Sequence, residues 1–150
     1  MSKIFIDTNV FYNILFKTQL TDRARKLLEE LEGRSFYTSL IVVNELLYIS
    51  AAKYYRQRGL ARGPLSLRKI IAKQGYPSHI VSKIKSLLEE LEVEVVNEIV
   101  TYDELLETTA ELRLLPSDAV IALTCRHYSI DTILTFDEDF ERVPWLKVIL

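Results

Sequence analysis

The chain is poor in the residues that build secreted, glycine-cradled or membrane-crossing proteins. Its 150 residues include one cysteine, four glycines and four prolines. A lone Cys125 can form neither an internal disulfide nor a zinc quartet, which favours a reducing compartment. The residues after the first apolar run read Asp7-Thr8-Asn9-Val10. They hold no glycine-rich turn, so a dinucleotide site lacks its phosphate cradle. A haloacid-type phosphatase would want a second aspartate where Asn9 stands. No apolar run approaches the ~18 residues of a membrane span. The opening MSKIFIDTNVF runs straight into a strand pattern without the layout of a signal peptide. The expected location is cytoplasmic, with no membrane contact.

The most lopsided absence is one of charge. Leu46–Leu88 contains no Asp or Glu, yet it holds nine basic residues: Lys53, Arg56, Arg58, Arg62, Arg68, Lys69, Lys73, Lys83 and Lys85. The remainder carries all twenty-one acids against ten basic residues, so the net charge of −2 conceals a basic middle between acidic flanks. Such a block can hold an anionic polymer. It can equally be a solvated face balanced by acidic helices of the same chain.

What is present is the material of one α/β domain over residues 1–150. Hydrophobic residues make up 49%, close to the ~45–50% of globular chains, and the length suits a single core. Lys3–Asp7, Phe36–Thr38, Glu92–Val96, Thr132–Thr135 and Trp145–Ile149 read as short strands rich in β-formers. Between them lie helical periods: Val10–Phe16 capped by Thr8 or Asn9, Thr21–Leu31, Leu40–Tyr55 capped by Ser39, Ser78–Leu91, Tyr102–Leu112 and Asp118–Tyr128. Gly59, Gly63 and Pro64 interrupt the basic stretch as a loop, with a further helix over Ser66–Gln74. Strands alternating with helices predict a mostly parallel sheet of about five strands, flanked by helices on both faces.

The acids fall at telling places. Asp7 follows Ile4-Phe5-Ile6, and Asp137 follows the strand ending at Thr135. Ligands of open α/β sheets bind beyond the carboxyl ends of the strands. Glu45 shares a helical face with Ile41, Val42, Ile49 and Ala52, and Asp118 shares one with Ile121, Ala122 and Cys125. A carboxylate on an apolar stripe is costly unless paired or metal-bound. Each acid alone also has a structural explanation, as a turn, a cap or an ion pair. Four of them converging would repel one another, and a hard divalent cation such as Mg²⁺ or Mn²⁺ would relieve that repulsion.

With these residues in hand, the sequence resembles the PIN-domain ribonucleases, most closely the VapC-type toxins of toxin–antitoxin pairs. IFIDTNVF at Ile4–Phe11, SLIVVNELLY at Ser39–Tyr48, LPSDAVIALTCRHY at Leu115–Tyr128 and ILTFDEDFERV at Ile133–Val143 are similar to the family's four motifs, in order. The resemblance implies a PIN fold, endonucleolytic cleavage of RNA and dependence on one or two Mg²⁺ or Mn²⁺ ions. It also implies frequent homodimers and inhibition by a small antitoxin protein. Asp7, Glu45, Asp118 and Asp137 would be the metal-binding, catalytic acids. Asn9 and Thr135 match supporting polar positions, and Asp139 is either a fifth contributor or a cap. The basic arm around residues 54–77 is longer than in compact toxins.

RNA is then expected along that arm, on Lys53, Arg56, Arg58, Arg62, Arg68 and Lys69. Tyr54, Tyr55 and Tyr76 are available either for stacking on bases or for packing against the domain. His79 and His127 lie outside the inward-facing acids and read as structural or surface residues. Two other readings stand beside the toxin: a non-toxin RNA-processing nuclease, and a non-catalytic RNA-binding module.

Overall fold

Ile4, Phe5 and Ile6 are all fully buried. Successive strand residues point to opposite faces, so the first strand is covered on both sides. In this computed structural model, which describes residues 2–150, that strand, β1 (Lys3–Ile6), is the centre of a five-stranded sheet. The others are β2 (Ser35–Ser39), β3 (Glu94–Val96), β4 (Thr132–Leu134) and β5 (Lys147–Ile149). Every pairing is parallel, in the order β3-β2-β1-β4-β5. The sheet expected from the sequence is thus present, with all five strands parallel rather than most of them.

Seven helices are found among the described residues: α1 (Thr8–Leu15), α2 (Thr21–Glu30), α3 (Leu40–Gln57), α4 (Pro64–Gln74), α5 (Ser78–Glu90), α6 (Tyr102–Leu112) and α7 (Pro116–His127). They flank the sheet on both faces. A 3₁₀ turn over Glu138–Arg142 follows β4. The chain builds outward from β1 through β2 to β3, then returns to lay β4 and β5 on the other side. The strand order therefore reverses between β1 and β4. At such a switch point the loops diverge and leave a crevice at the carboxyl ends of the strands.

Two local expectations are corrected. Asp7, not Thr8 or Asn9, caps α1, because the helix begins one residue earlier and draws Thr8 and Asn9 into its first turn. Ser39 stands at the N-cap of α3 without a side-chain cap bond. Glu98 does that work from the loop after β3: its Oε1 accepts from the Ile41 N–H at 2.6 Å. A carboxylate there also meets the positive end of the helix dipole.

The basic arm folds back on α3. Leu67 of α4 packs with Ala51, Tyr55 and Ala61 in a small core of its own. The Tyr55 hydroxyl donates to the Gly75 carbonyl at 2.7 Å. Gly75 ends α4 at φ +85°, a conformation that costs glycine little. The Tyr76 hydroxyl donates to the Leu47 carbonyl. Tyr55 is therefore buried and cannot stack on a base, so of its two readings the packing one holds. Tyr54 packs edge-on against Tyr55 and beside His79.

Candidate active site

Asp7 stands where β1 hands over to α1. Its N–H donates to the Leu134 carbonyl at 3.0 Å, extending the β1–β4 ladder by one rung. Its Oδ1 accepts from the Thr8 N–H at 2.7 Å. Its Oδ2 accepts from the Thr135 hydroxyl at 2.7 Å and from Asn9 Nδ2 at 3.4 Å. The residue is only 5% exposed. Burial pushes its carboxyl up to about 6; the Thr135 and Thr8 bonds oppose this, and repulsion from Glu45 and Asp137 adds to it.

Thr135 joins the two strand ends. Besides donating to Asp7, its hydroxyl accepts from Asn9 Nδ2 at 3.3 Å and from the Asp137 N–H at 3.0 Å. Asn9 Oδ1 in turn accepts from the Phe136 N–H at 3.1 Å. The two residues singled out as supporting thus stitch the end of β1 to the end of β4. Asp137 caps the 3₁₀ turn through Oδ1, which accepts from the Asp139 N–H at 2.9 Å.

Glu45 reaches the same region from α3. Its Oε2 accepts from the Thr8 hydroxyl at 2.8 Å, so a residue of α1 fixes a carboxylate of α3. Asp118 arrives in the first turn of α7, behind Pro116 and Ser117. Burial pushes its carboxyl up to about 7, and repulsion from Asp7, Asp137, Glu45 and Asp139 contributes in that order. One group that senses four other carboxylates marks a shared pocket of negative charge.

The tightest grouping differs from the four acids read from the sequence. Carboxylate oxygens of Asp118, Asp137 and Asp139 all lie within 4.8 Å of one another, whereas Asp7 and Glu45 are outside that grouping and are held by Thr8 and Thr135. Asp139 also pairs with Arg142 at 2.9 Å, and Arg142 further donates to the Leu112 and Arg113 carbonyls at the end of α6. Asp7, Glu45, Asp118 and Asp137 have no Lys, Arg or His within ion-pair distance among the described residues. An all-oxygen donor set in which Asp7 and Asp118 are raised and, among the described residues, only Asp139 has a cationic partner fits a hard divalent ion such as Mg²⁺ or Mn²⁺. Glu98 and the Thr8 hydroxyl were not foreseen. Thr8 lies inside the first motif, but its partner is thirty-seven residues away.

The basic residues of the arm part company. Arg56 and Arg62 line a cavity between α3 and the arm. Arg58 lies over the Tyr54 ring at 3.5 Å and faces a smaller pocket with Leu15 and Phe16. Lys53 is half-buried, while Arg68 and Lys69 are exposed on α4. His79 packs on Tyr54, and His127 Nε2 meets Glu104 at 2.8 Å, so neither contacts the acids. Cys125 is buried and unpaired; burial raises its thiol, and Asp7 adds to the rise. No helix of the described residues is long and apolar enough to cross a membrane.

Known proteins share this arrangement of elements. Over its full length the chain is similar to Ribonuclease VapC2 of Methanocaldococcus jannaschii, with 32% identity spanning 99% of this chain and 93% of that one. Ribonuclease VapC6 of the same organism is 27% identical, over 99% and 97%. VapBC2 of Rickettsia felis, solved bound to a fragment of promoter DNA, superposes with a TM-score of 0.66 at 20% identity, covering 98% of this chain and 97% of its own. VapC20 of Mycobacterium tuberculosis, described as a Sarcin-Ricin loop cleaving toxin, superposes at 0.61 with 18% identity, covering 98% and 99%. At such identities the structural likeness is one of fold. The PIN domain family model matches residues 4–146, so the chain belongs to the PIN-domain family.

Proposed function

We propose that this protein is a metal-dependent endoribonuclease, the toxin of a toxin–antitoxin pair, whose catalytic acids are Asp7, Glu45, Asp118 and Asp137. The observation that carries the proposal is the meeting of these carboxylates, without a cationic partner, at the β1/β4 switch point. Relatives named as VapC ribonucleases support the RNA substrate. Neighbours solved as VapBC and other toxin–antitoxin complexes support a small antitoxin partner. A homodimer is proposed from the resemblance alone.

Asp118 and Asp137, with Asp139 beside them, would hold one or two Mg²⁺ or Mn²⁺ ions. Such an ion supplies Lewis acidity toward the phosphodiester and acidifies the attacking water. The protein's own part is to fix the acids. Thr135 and the Thr8 N–H clamp both oxygens of Asp7, and the Thr8 hydroxyl orients Glu45. Asn9 keeps the two strand ends in register. Arg142 turns Asp139 toward the cluster while anchoring it to α6. In the basic arm, Lys53, Arg56, Arg62, Arg68 and Lys69 would neutralise backbone phosphates and make binding salt-dependent, while Arg58 is engaged by the Tyr54 ring.

Calorimetry with Mn²⁺ and cleavage of RNA in Mg²⁺ test the reading together. The wild type is expected to bind the ion and cut, and Asp7→Asn and Asp118→Asn to fold but not cut. Full activity in both variants would falsify the assignment. A wild type that binds no ion in the pocket would leave the non-catalytic RNA-binding module in its place.

A further inference from the structure

A cavity of about 460 Å³ lies between α3 and the arm, within the ~300–1,000 Å³ of small-ligand sites. Helix periodicity locates it. Thr8 of α1 and Glu45 of α3 meet at the acid pocket. Tyr12 lies four residues past Thr8, and Tyr48 and Ile49 lie three and four past Glu45; all three line the cavity. Such spacings keep one helix face and step along it by a turn, ~5.4 Å. Ala52 and Arg56 continue that face of α3, and Arg62 borders the cavity from the arm. The cavity therefore starts about one helical turn from Glu45 and leads away along α3.

Its chemistry is specific. Its lining combines aliphatic side chains, two tyrosines and two guanidiniums, and none of its lining residues is acidic. Tyr48 is 49% exposed, unusual for a ring on a half-apolar face. Neither Arg56 nor Arg62 has a carboxylate within ion-pair distance among the described residues. Arg58, by contrast, is occupied with Tyr54. An accessible aromatic ring beside unpaired guanidiniums matches an unpaired nucleotide, whose base stacks and whose phosphates take charge-assisted hydrogen bonds.

The geometry points to a subsite for one unpaired nucleotide of the RNA strand, its base on Tyr48 beside Tyr12 and its flanking phosphates on Arg56 and Arg62. This rests on the ribonuclease reading and adds to it the path of the strand, from the acids along α3 into the arm.

The probe is a single-stranded oligoribonucleotide carrying 2-aminopurine, titrated into the full chain in EDTA so that no cutting occurs. Stacking is expected to quench its fluorescence. Tyr48→Ala should abolish the quench and weaken binding about tenfold, while Tyr48→Phe keeps both. Arg56→Ala with Arg62→Ala should lower the salt slope by about one for each phosphate no longer neutralised, and Arg58→Ala should change affinity less than about twofold. In Mg²⁺ the Tyr48 and Arg56/Arg62 variants should raise KM and leave kcat nearly unchanged. These side chains are exposed, so unaltered melting curves are expected. Unchanged quench and affinity in the cavity variants, with wild-type cleavage intact, would overturn the subsite and leave the nuclease standing. A wild type that neither binds nor cuts RNA removes both. Variants that keep RNA affinity but lose a peptide ligand would give the cavity to a protein partner and end the proposal.

Discussion

At the acid pocket, Asp7 and Glu45 are each held by a bond from a distant part of the chain: Thr135 to Asp7 across 128 positions, Thr8 to Glu45 across 37. In the arm, Tyr55 bonds Gly75 across 20, and Leu67 packs with Ala51, Tyr55 and Ala61 in a small core separate from the main one. The pocket is consequently part of the global fold and cannot loosen without it. The arm is closer to a unit of its own, able to open while the sheet persists. Chemistry demands the first kind of construction, since repelling carboxylates must be held against their repulsion. Adaptable binding to a polymer suits the second.

The contrast predicts opposite kinetic signatures. Asp118→Asn should lower kcat by about a thousandfold or more, because it removes one of the acids proposed to hold the catalytic metal. RNA affinity measured in EDTA should stay within a few-fold of wild type. A variant that loses RNA affinity as fully as it loses turnover would mean that the pocket and the binding surface are one, and the contrast would fail.

Stability should divide the same way. Ile133→Ala empties a fully buried site in β4 and should cost about 2–5 kcal/mol of global stability, read as a lower melting temperature. Leu67→Ala removes a side chain of similar size from the arm's small core. It should raise hydrogen exchange across residues 61–74 and weaken RNA binding, while the sheet melts close to the wild-type temperature. A uniform loss of protection across the sheet in Leu67→Ala would show that the arm is not separable.

The same contrast sorts what could be read from the sequence. Asp7 and Asp137 were legible because each stands at or just past the end of a β-rich run, and Glu45 and Asp118 because a carboxylate interrupts an apolar helical stripe. The sheet was legible from alternation, with strands such as β3 and β5 shorter than expected. Cooperation between remote residues was not. Nothing near Ile41 announces that Glu98 will cap its helix, and nothing near Thr8 announces Glu45. Asp139 was left between contributor and cap because its closeness to Asp118 depends on how α7 and the 3₁₀ turn meet. In the arm, Arg56 lies in the last turn of α3 and Arg58 is its C-cap, and the two line different pockets. Treating the basic residues as one track hid that division.

Thr135→Val probes the joint between the strand ends. It keeps the β-branched shape but leaves the Asp137 N–H without its partner and Asp7 Oδ2 with only the 3.4 Å bond from Asn9, a loss of about 1–3 kcal/mol. Because the Thr135 bond holds the Asp7 carboxyl down, that carboxyl should rise further. Mn²⁺ affinity should fall about tenfold, and RNA affinity in EDTA should not change. An unaltered Mn²⁺ isotherm would mean that Asp7 needs no such clamp.

The smallest effect is a pH dependence that the arm should not share. Asp7 and Asp118 titrate near 6 and 7 in the folded chain, against 3.8 ordinarily. The folded state therefore holds these protons more tightly than the unfolded state does. Between about pH 4 and pH 7 unfolding releases protons, so the metal-free protein loses stability as pH rises, and above that window the full repulsion remains. Solvent reaches Asp118 and screens part of this. From pH 5 to pH 8 the melting temperature should fall by about 2–4 °C, the shift that ~1 kcal/mol produces at this chain length. Asp118→Asn should flatten the dependence and melt higher than wild type at pH 8, and Mn²⁺ should lift the wild type more than the variant. Arg56→Ala with Arg62→Ala, far from any displaced carboxyl, should keep the wild-type slope. A melting temperature that climbs from pH 5 to pH 8 in the metal-free wild type would mean that the acids are already neutralised in solution, and the strain assigned to the pocket would not exist.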